Sequence, residues 1–116
     1  TNATALSTHN KKIPPFHYMV ALAGGVDIKC AKYATYGTRE LSKNILKALK
    51  NRSACLIANH GQIAFGQSLK DAFELAEEVD NLAKQYIKAL VLGRPKLLSL
   101  NEMKKVLSKS KTYKRG

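Results

Sequence analysis

One periodicity constrains this chain more than any other feature. Leu69, Ala72, Phe73, Ala76, Val79, Ala83, Tyr86 and Leu90 recur every three or four residues. That spacing predicts an amphipathic helix of about six turns with a single apolar stripe. Ser68 stands where a helix cap belongs, and Gly93-Arg94-Pro95 supplies the stop. The acids Asp71, Glu74, Glu77 and Glu78 fall in the first half and Lys84 and Lys88 in the second, as the helix dipole favours. Tyr86 lies on the stripe, so core packing is its expected role.

The rest of the chain alternates between strand-like and helical stretches. Thr1 to Thr8 reads as the end of a helix. Pro14-Pro15 forces an extended connector after it. Phe16 to Ala23 is apolar and alanine-rich, stops at Gly24-Gly25, and reads as a short helix. Val26 to Ala31 reads as a short strand, and Tyr33 to Gly37 as a loop. Thr38 is a good cap for a helix in which Leu41, Ile45, Leu46 and Leu49 keep helical spacing as far as Lys50. Ala54 to Ala58 is a continuous apolar run, hence a buried strand. Asn59-His60-Gly61-Gln62 interrupts it and Ile63 to Gly66 resumes, a strand–turn–strand unit with a histidine at its tip. A last helix is expected from Ser99 to about Ser110. The remainder is polar except for Tyr113. No internal repeat or low-complexity segment is present.

The bulk numbers bound the class. The length of 116 residues, with 45% hydrophobic and 24% charged residues, predicts one domain with one modest core. Twenty Lys+Arg against eight Asp+Glu leave a net charge of +12. Such a balance invites a nucleic-acid reading. The charges are scattered, however, with eight Lys/Arg and one acid from Arg94 to Gly116 and no run of five like charges. No zinc-finger, RNA-recognition or helix-turn-helix signature accompanies them, so nucleic acid is not the expected partner. No apolar run approaches the length of a membrane span, and no secretory leader is recognisable. Cys30 and Cys55 are isolated and lie in apolar runs, which predicts free buried thiols and a reducing, cytoplasmic compartment.

Histidines and tyrosines are the candidates for chemistry. His9, His17 and His60 are the only histidines, and none is paired as H-x-H or H-x-x-x-H. Spacing alone therefore claims no metal site. His60 follows a buried strand and precedes a glycine that lets backbone or ligand come close. Both a turn histidine bonded to backbone and a ligand fit that position. His17 sits among apolar residues and reads as a satisfied core or interface side chain. Tyr18, Tyr33, Tyr36 and Tyr113 lie in or near loops. Such a tyrosine packs at an interface, or donates a proton, since its hydroxyl pKa is close to that of an enolate's conjugate acid.

Several separated motifs resemble the class II aldolase/adducin family, and they occur in the family's order. They are Ile13-Pro14-Pro15-Phe16-His17-Tyr18-Met19, Ala23-Gly24-Gly25, and the segment Cys30-Ala31-Lys32-Tyr33-Ala34-Thr35-Tyr36-Gly37-Thr38-Arg39-Glu40-Leu41. Asn59-His60-Gly61, Ser68-Leu69 and Lys111-Thr112-Tyr113 continue the match over essentially the whole chain. The resemblance implies a three-layer α/β/α domain with a central, mainly antiparallel sheet. It also implies a Zn²⁺-dependent aldehyde-lyase assembled as a homotetramer with interfacial active sites. The expected reaction is cleavage of L-fuculose 1-phosphate, or a similar phosphorylated ketose, to dihydroxyacetone phosphate and L-lactaldehyde. Zinc would polarise the ketone and stabilise the enediolate. By the same resemblance, His60 matches the last of three zinc-binding histidines. Tyr18 matches a proton donor/acceptor that reaches the adjacent site. Tyr36 matches an aromatic position that shapes the aldehyde pocket, and Tyr113 a tyrosine that closes over the site.

The departure from the pattern matters as much. The family's other two zinc histidines form an H-x-H ahead of the segment matched here, and its catalytic glutamate and phosphate-binding loop lie further ahead still. A catalytic zinc needs about three protein ligands, and one is offered here. Residues 1–116 are thus expected to be the C-terminal portion of a single class II aldolase-like domain. Alone they should be inactive and should need the upstream half for stability. A non-catalytic, adducin-like interaction module and a related sugar-phosphate epimerase or decarboxylase are the alternative readings.

Overall fold

The structure is a computed structural model that describes residues 1–115, with side chains through Ser110. The elements run α1 (Asn2–Ser7), a 3-10 turn (Tyr18–Ala23), β1 (Cys30–Ala31), α2 (Arg39–Ala48), β2 (Ala54–Ile57), β3 (Gly61–Ala64), α3 (Leu69–Leu92) and α4 (Leu100–Arg115).

Local signals place most of these ends. The Thr38 hydroxyl accepts from the Leu41 amide at 3.2 Å, and the Ser68 hydroxyl from the Asp71 amide at 3.1 Å. Each satisfies an amide that the first helical turn would otherwise leave unbonded. Ser99 does the same for Glu102 at 3.1 Å, opening a helix that runs further than the expected Ser110. The short helix after Phe16 is of the 3-10 type. His17 caps it, its Nδ1 accepting from the Met19 amide at 3.1 Å. The satisfied role foreseen for His17 is therefore what the structure shows.

The sheet order among the described residues is β1-β2-β3, with β1 parallel to β2 and β2 antiparallel to β3. Only Cys30 and Ala31 of the expected Val26–Ala31 strand join β2. Ile28 instead exchanges both backbone hydrogen bonds with Ile13, at 2.8 and 3.0 Å. The β2–β3 turn is tighter than expected, since Gly61 already pairs with Ile57 and Gln62 with Leu56.

β2 is buried on both faces, so its alternate residues feed two cores. Ala54 and Leu56 face a core completed by α1, the 3-10 turn, α3 and α4, through Leu6, Val20, Val79, Leu82, Tyr86 and Met103. Cys55 and Ile57 face a smaller core under α2, with Ala48, Leu41, Ile45 and Leu49. Helices thus cover both faces of the sheet, giving the three layers expected. Tyr86 is buried as foreseen, its ring 5.1 Å from that of Phe16. The α3 stripe is covered over only part of its length. Val79, Leu82, Ala83 and Tyr86 are buried, whereas Leu69 is 87% and Phe73 64% exposed. Both cysteines are free.

Candidate active site

The site is assembled where β1 and β2 end. Parallel pairing aligns Ala31 with Ile57, and the Ala58 amide donates to the Ala31 carbonyl at 2.9 Å. Both chains therefore leave the sheet at the same end. The β2 exit turns through Asn59 at φ 62° and reaches Gly61 at φ 140°. An asparagine tolerates the left-handed region, and a glycine is needed at the second angle. A Cβ at Gly61 would also meet the Thr4 hydroxyl at 3.1 Å. α1 braces this turn, since the Ser7 carbonyl accepts from the Asn59 amide at 3.2 Å.

The β1 exit is held as firmly. Asn44 of α2 donates to the Lys32 carbonyl at 3.1 Å, and the Thr38 hydroxyl donates to the Thr35 carbonyl at 2.7 Å. Between these two anchors, the Ala34 carbonyl meets His60 Nε2 at 3.0 Å. A carbonyl can only accept, so Nε2 carries the proton and the neutral ring keeps its lone pair on Nδ1. The Tyr33 ring lies against the imidazole, with centroids 5.3 Å apart and planes 17° apart. Both side chains are exposed.

The other candidates stand apart from this cluster. Tyr18 is 54% exposed and stacks on His17 at 4.9 Å. Tyr36 is 82% exposed, in the same loop as Tyr33 and one residue before Gly37, whose φ is 79°. The side chain of Tyr113 lies outside the described residues. The pairing of Tyr33 and His60 could not be read from the sequence, where Tyr33 was one loop tyrosine among several. The signal that could have found it is the parallel β1–β2 pairing.

Zinc can be tested against these groups. His60 has one ring nitrogen held by a backbone carbonyl and the other turned outward, the arrangement usual for a metal-ligating histidine. It fits as a single ligand. Among the described residues no three of His, Cys, Asp and Glu gather as a metal site, so a complete zinc site does not exist within them.

The thiols do not contribute chemistry. Burial, and next to it the proximity of Cys30, pushes the Cys55 thiol up to about 12, and burial raises Cys30 as well. Neither ionises near neutrality, so neither is a nucleophile. Among the described residues no helix is long and apolar enough to cross a membrane.

Comparison with known proteins agrees with this architecture. The model of the class II aldolase and adducin N-terminal domain matches residues 1–87. A 5-methylthioribulose-1-phosphate/5-deoxyribulose-1-phosphate aldolase of Rhodospirillum rubrum is 51% identical over 111 residues, 96% of this chain and 50% of that protein. An L-fuculose phosphate aldolase of Escherichia coli is 50% identical over 113 residues, 97% of this chain and 53% of its own. A solved structure of an L-fuculose 1-phosphate aldolase superposes with a TM-score of 0.90 at 45% identity, over 96% of this chain and 52% of that one. The chain spans about half the length of the relatives it matches. With residues 1–87 on the family's pattern and helices on both faces of its sheet, this chain belongs to the class II aldolase and adducin family.

Proposed function

We propose that these 116 residues form the C-terminal portion of a single-domain, zinc-dependent aldolase. The protein containing them would be an aldehyde-lyase cleaving a phosphorylated ketose to dihydroxyacetone phosphate and an aldehyde. The observation that carries this reading is His60, presented at the ends of two parallel strands with one nitrogen tied to Ala34 and the other free to bind. L-fuculose 1-phosphate, with L-lactaldehyde as second product, is the substrate we favour. The 5-methylthioribulose and 5-deoxyribulose 1-phosphates named for the Rhodospirillum rubrum relative belong to the same class.

His60 would be one zinc ligand, and the others would come from residues outside this chain. Bound zinc would supply Lewis acidity at the ketone carbonyl. Carbon–carbon cleavage also needs a group that takes the proton of the departing hydroxyl and returns one to carbon. Tyr18 suits that task, since its exposed ring can reach an adjacent subunit's site in a homotetramer. Tyr36, more exposed still, would line the aldehyde pocket, and Tyr113 would close over it. Some of the +12 net charge would attract the anionic substrate. With one ligand, these residues by themselves would not cleave substrate. The compartment we assign is the cytoplasm, on the free thiols.

Zinc content and aldol-cleavage assays on the full-length gene product test the reading. Both L-fuculose 1-phosphate and 5-methylthioribulose 1-phosphate should be offered. Bound zinc with cleavage of either supports an aldolase, and a folded full-length protein with neither metal nor cleavage overturns it.

A further inference from the structure

We propose that Tyr33 is a positioning residue, whose ring holds the His60 imidazole so that Nδ1 is aimed at a bound metal. The inference rests on the reading of His60 as a ligand and adds a residue to that site.

Two constraints of different direction act on His60. The hydrogen bond to Ala34 fixes one point on the edge of the ring, at 3.0 Å, and selects the tautomer. It leaves the ring free to tilt about that point. The Tyr33 face, 17° from parallel and 5.3 Å away, restricts the tilt. Together they set the direction of the remaining lone pair, which neither does alone. Support of this kind fixes ring orientation and typically accounts for 10–100-fold in metal affinity or activity.

The loop is built to keep both constraints together. Tyr33 and Ala34 are consecutive, and the carbonyls on either side of them, Lys32 and Thr35, are pinned by Asn44 and Thr38. Ala34 is buried while Tyr33 is 55% exposed. The loop thus anchors through Ala34 and leaves the Tyr33 ring at the surface, against His60. Among the described residues no hydrogen bond engages the Tyr33 hydroxyl, so the ring face is the working part and phenylalanine should serve as well.

The test compares Tyr33→Ala, Tyr33→Leu and Tyr33→Phe in the full-length protein. Imidazole nitrogen NMR of the metal-free protein, at a pH where histidine is neutral, reports the His60 tautomer. Zinc affinity and kcat/KM are measured in parallel, with a thermal melt to confirm folding. Tyr33→Ala and Tyr33→Leu should show both tautomers in exchange, with zinc affinity lowered about 10–100-fold. Tyr33→Phe should restore both values. A folded Tyr33→Ala or Tyr33→Leu protein with one tautomer and undiminished zinc affinity would overturn the proposal. If the unsubstituted protein binds no zinc and cleaves nothing, the aldolase reading fails. The NMR comparison still decides whether Tyr33 orients His60, two tautomers supporting it and one refuting it.

Discussion

Tyr33 and His60 stack ring on ring at 5.3 Å, although α2 and β2 lie between them in the chain. The contact follows from β1 and β2 running parallel. A parallel pair needs a crossover, here α2, and it delivers the residues after each strand to the same end of the sheet.

His60 should be expendable for folding. It is exposed and its side chain makes one hydrogen bond, to Ala34. His60→Ala is expected to change stability by about 1 kcal/mol or less. Zinc affinity and cleavage by the full-length protein should fall more than about 100-fold, beyond the usual loss for a merely supporting group. A thermal melt and a zinc titration on the same preparation check both halves.

Asp27 carries a different weight. Its carboxylate is buried and accepts from Lys12 at 2.9 Å and from Arg52. Arg52 is itself largely buried and also binds the Asp27 carbonyl at 3.1 Å. Asp27→Asn leaves that guanidinium without its counter-charge and should cost about 3 kcal/mol, the low end for breaking a buried pair because Lys12 is exposed. Urea midpoints for the two proteins at neutral pH measure it.

Acid should expose the same pair. Burial alone would raise the Asp27 pKa, but the hydrogen bonds and charges of Lys12 and Arg52 prevail and hold it below the usual carboxylate range. Asp80 is likewise lowered, burial being outweighed by hydrogen bonds that begin with the Ala3 amide. A carboxyl depressed in the folded state contributes stability that is complete above its unfolded value, about 4, and is lost as pH falls through the folded value. Stability should therefore hold from neutrality to about pH 4 and decline below it. The decline should be shallower in Asp27→Asn.

The thiols should be slow to react. Cys55 is buried with its thiol pushed up to about 12, and Cys30 is raised and half-buried. Native protein treated with iodoacetamide near neutral pH should label slowly at Cys30 and more slowly at Cys55. Both should label at once in urea. Rapid native labelling of Cys55 would contradict its burial.

Two leucines on the α3 stripe should behave oppositely. Leu82 is 2% exposed in the main core, and Leu82→Ala should cost about 2–5 kcal/mol. Leu69 is 87% exposed, and Leu69→Ala should stay within about 0.5 kcal/mol. Denaturant melts of the two variants measure the contrast.

That contrast shows where sequence reading stops. The spacing from Leu69 to Leu90 identifies the helix, and Ser68 its start, because caps and periodicity act between residues a few positions apart. It cannot say which turns of the stripe are covered, since that depends on where the sheet and the other helices lie. The same limit made Leu69 and Phe73 look like core and left Leu82 unremarked.

The sequence by itself determined the helices and their caps, the buried strand Ala54–Ile57 and a histidine at the tip of the turn after it. Each rests on contacts that the chain makes with its near neighbours. Only the tertiary structure decided that β1 pairs with β2 in parallel and that Asp27 meets Arg52. It alone set Tyr33 and Ala34 on two sides of His60. Strand direction and register are settled by burying both faces of β2 at once, a condition on the whole chain that no short stretch of sequence carries.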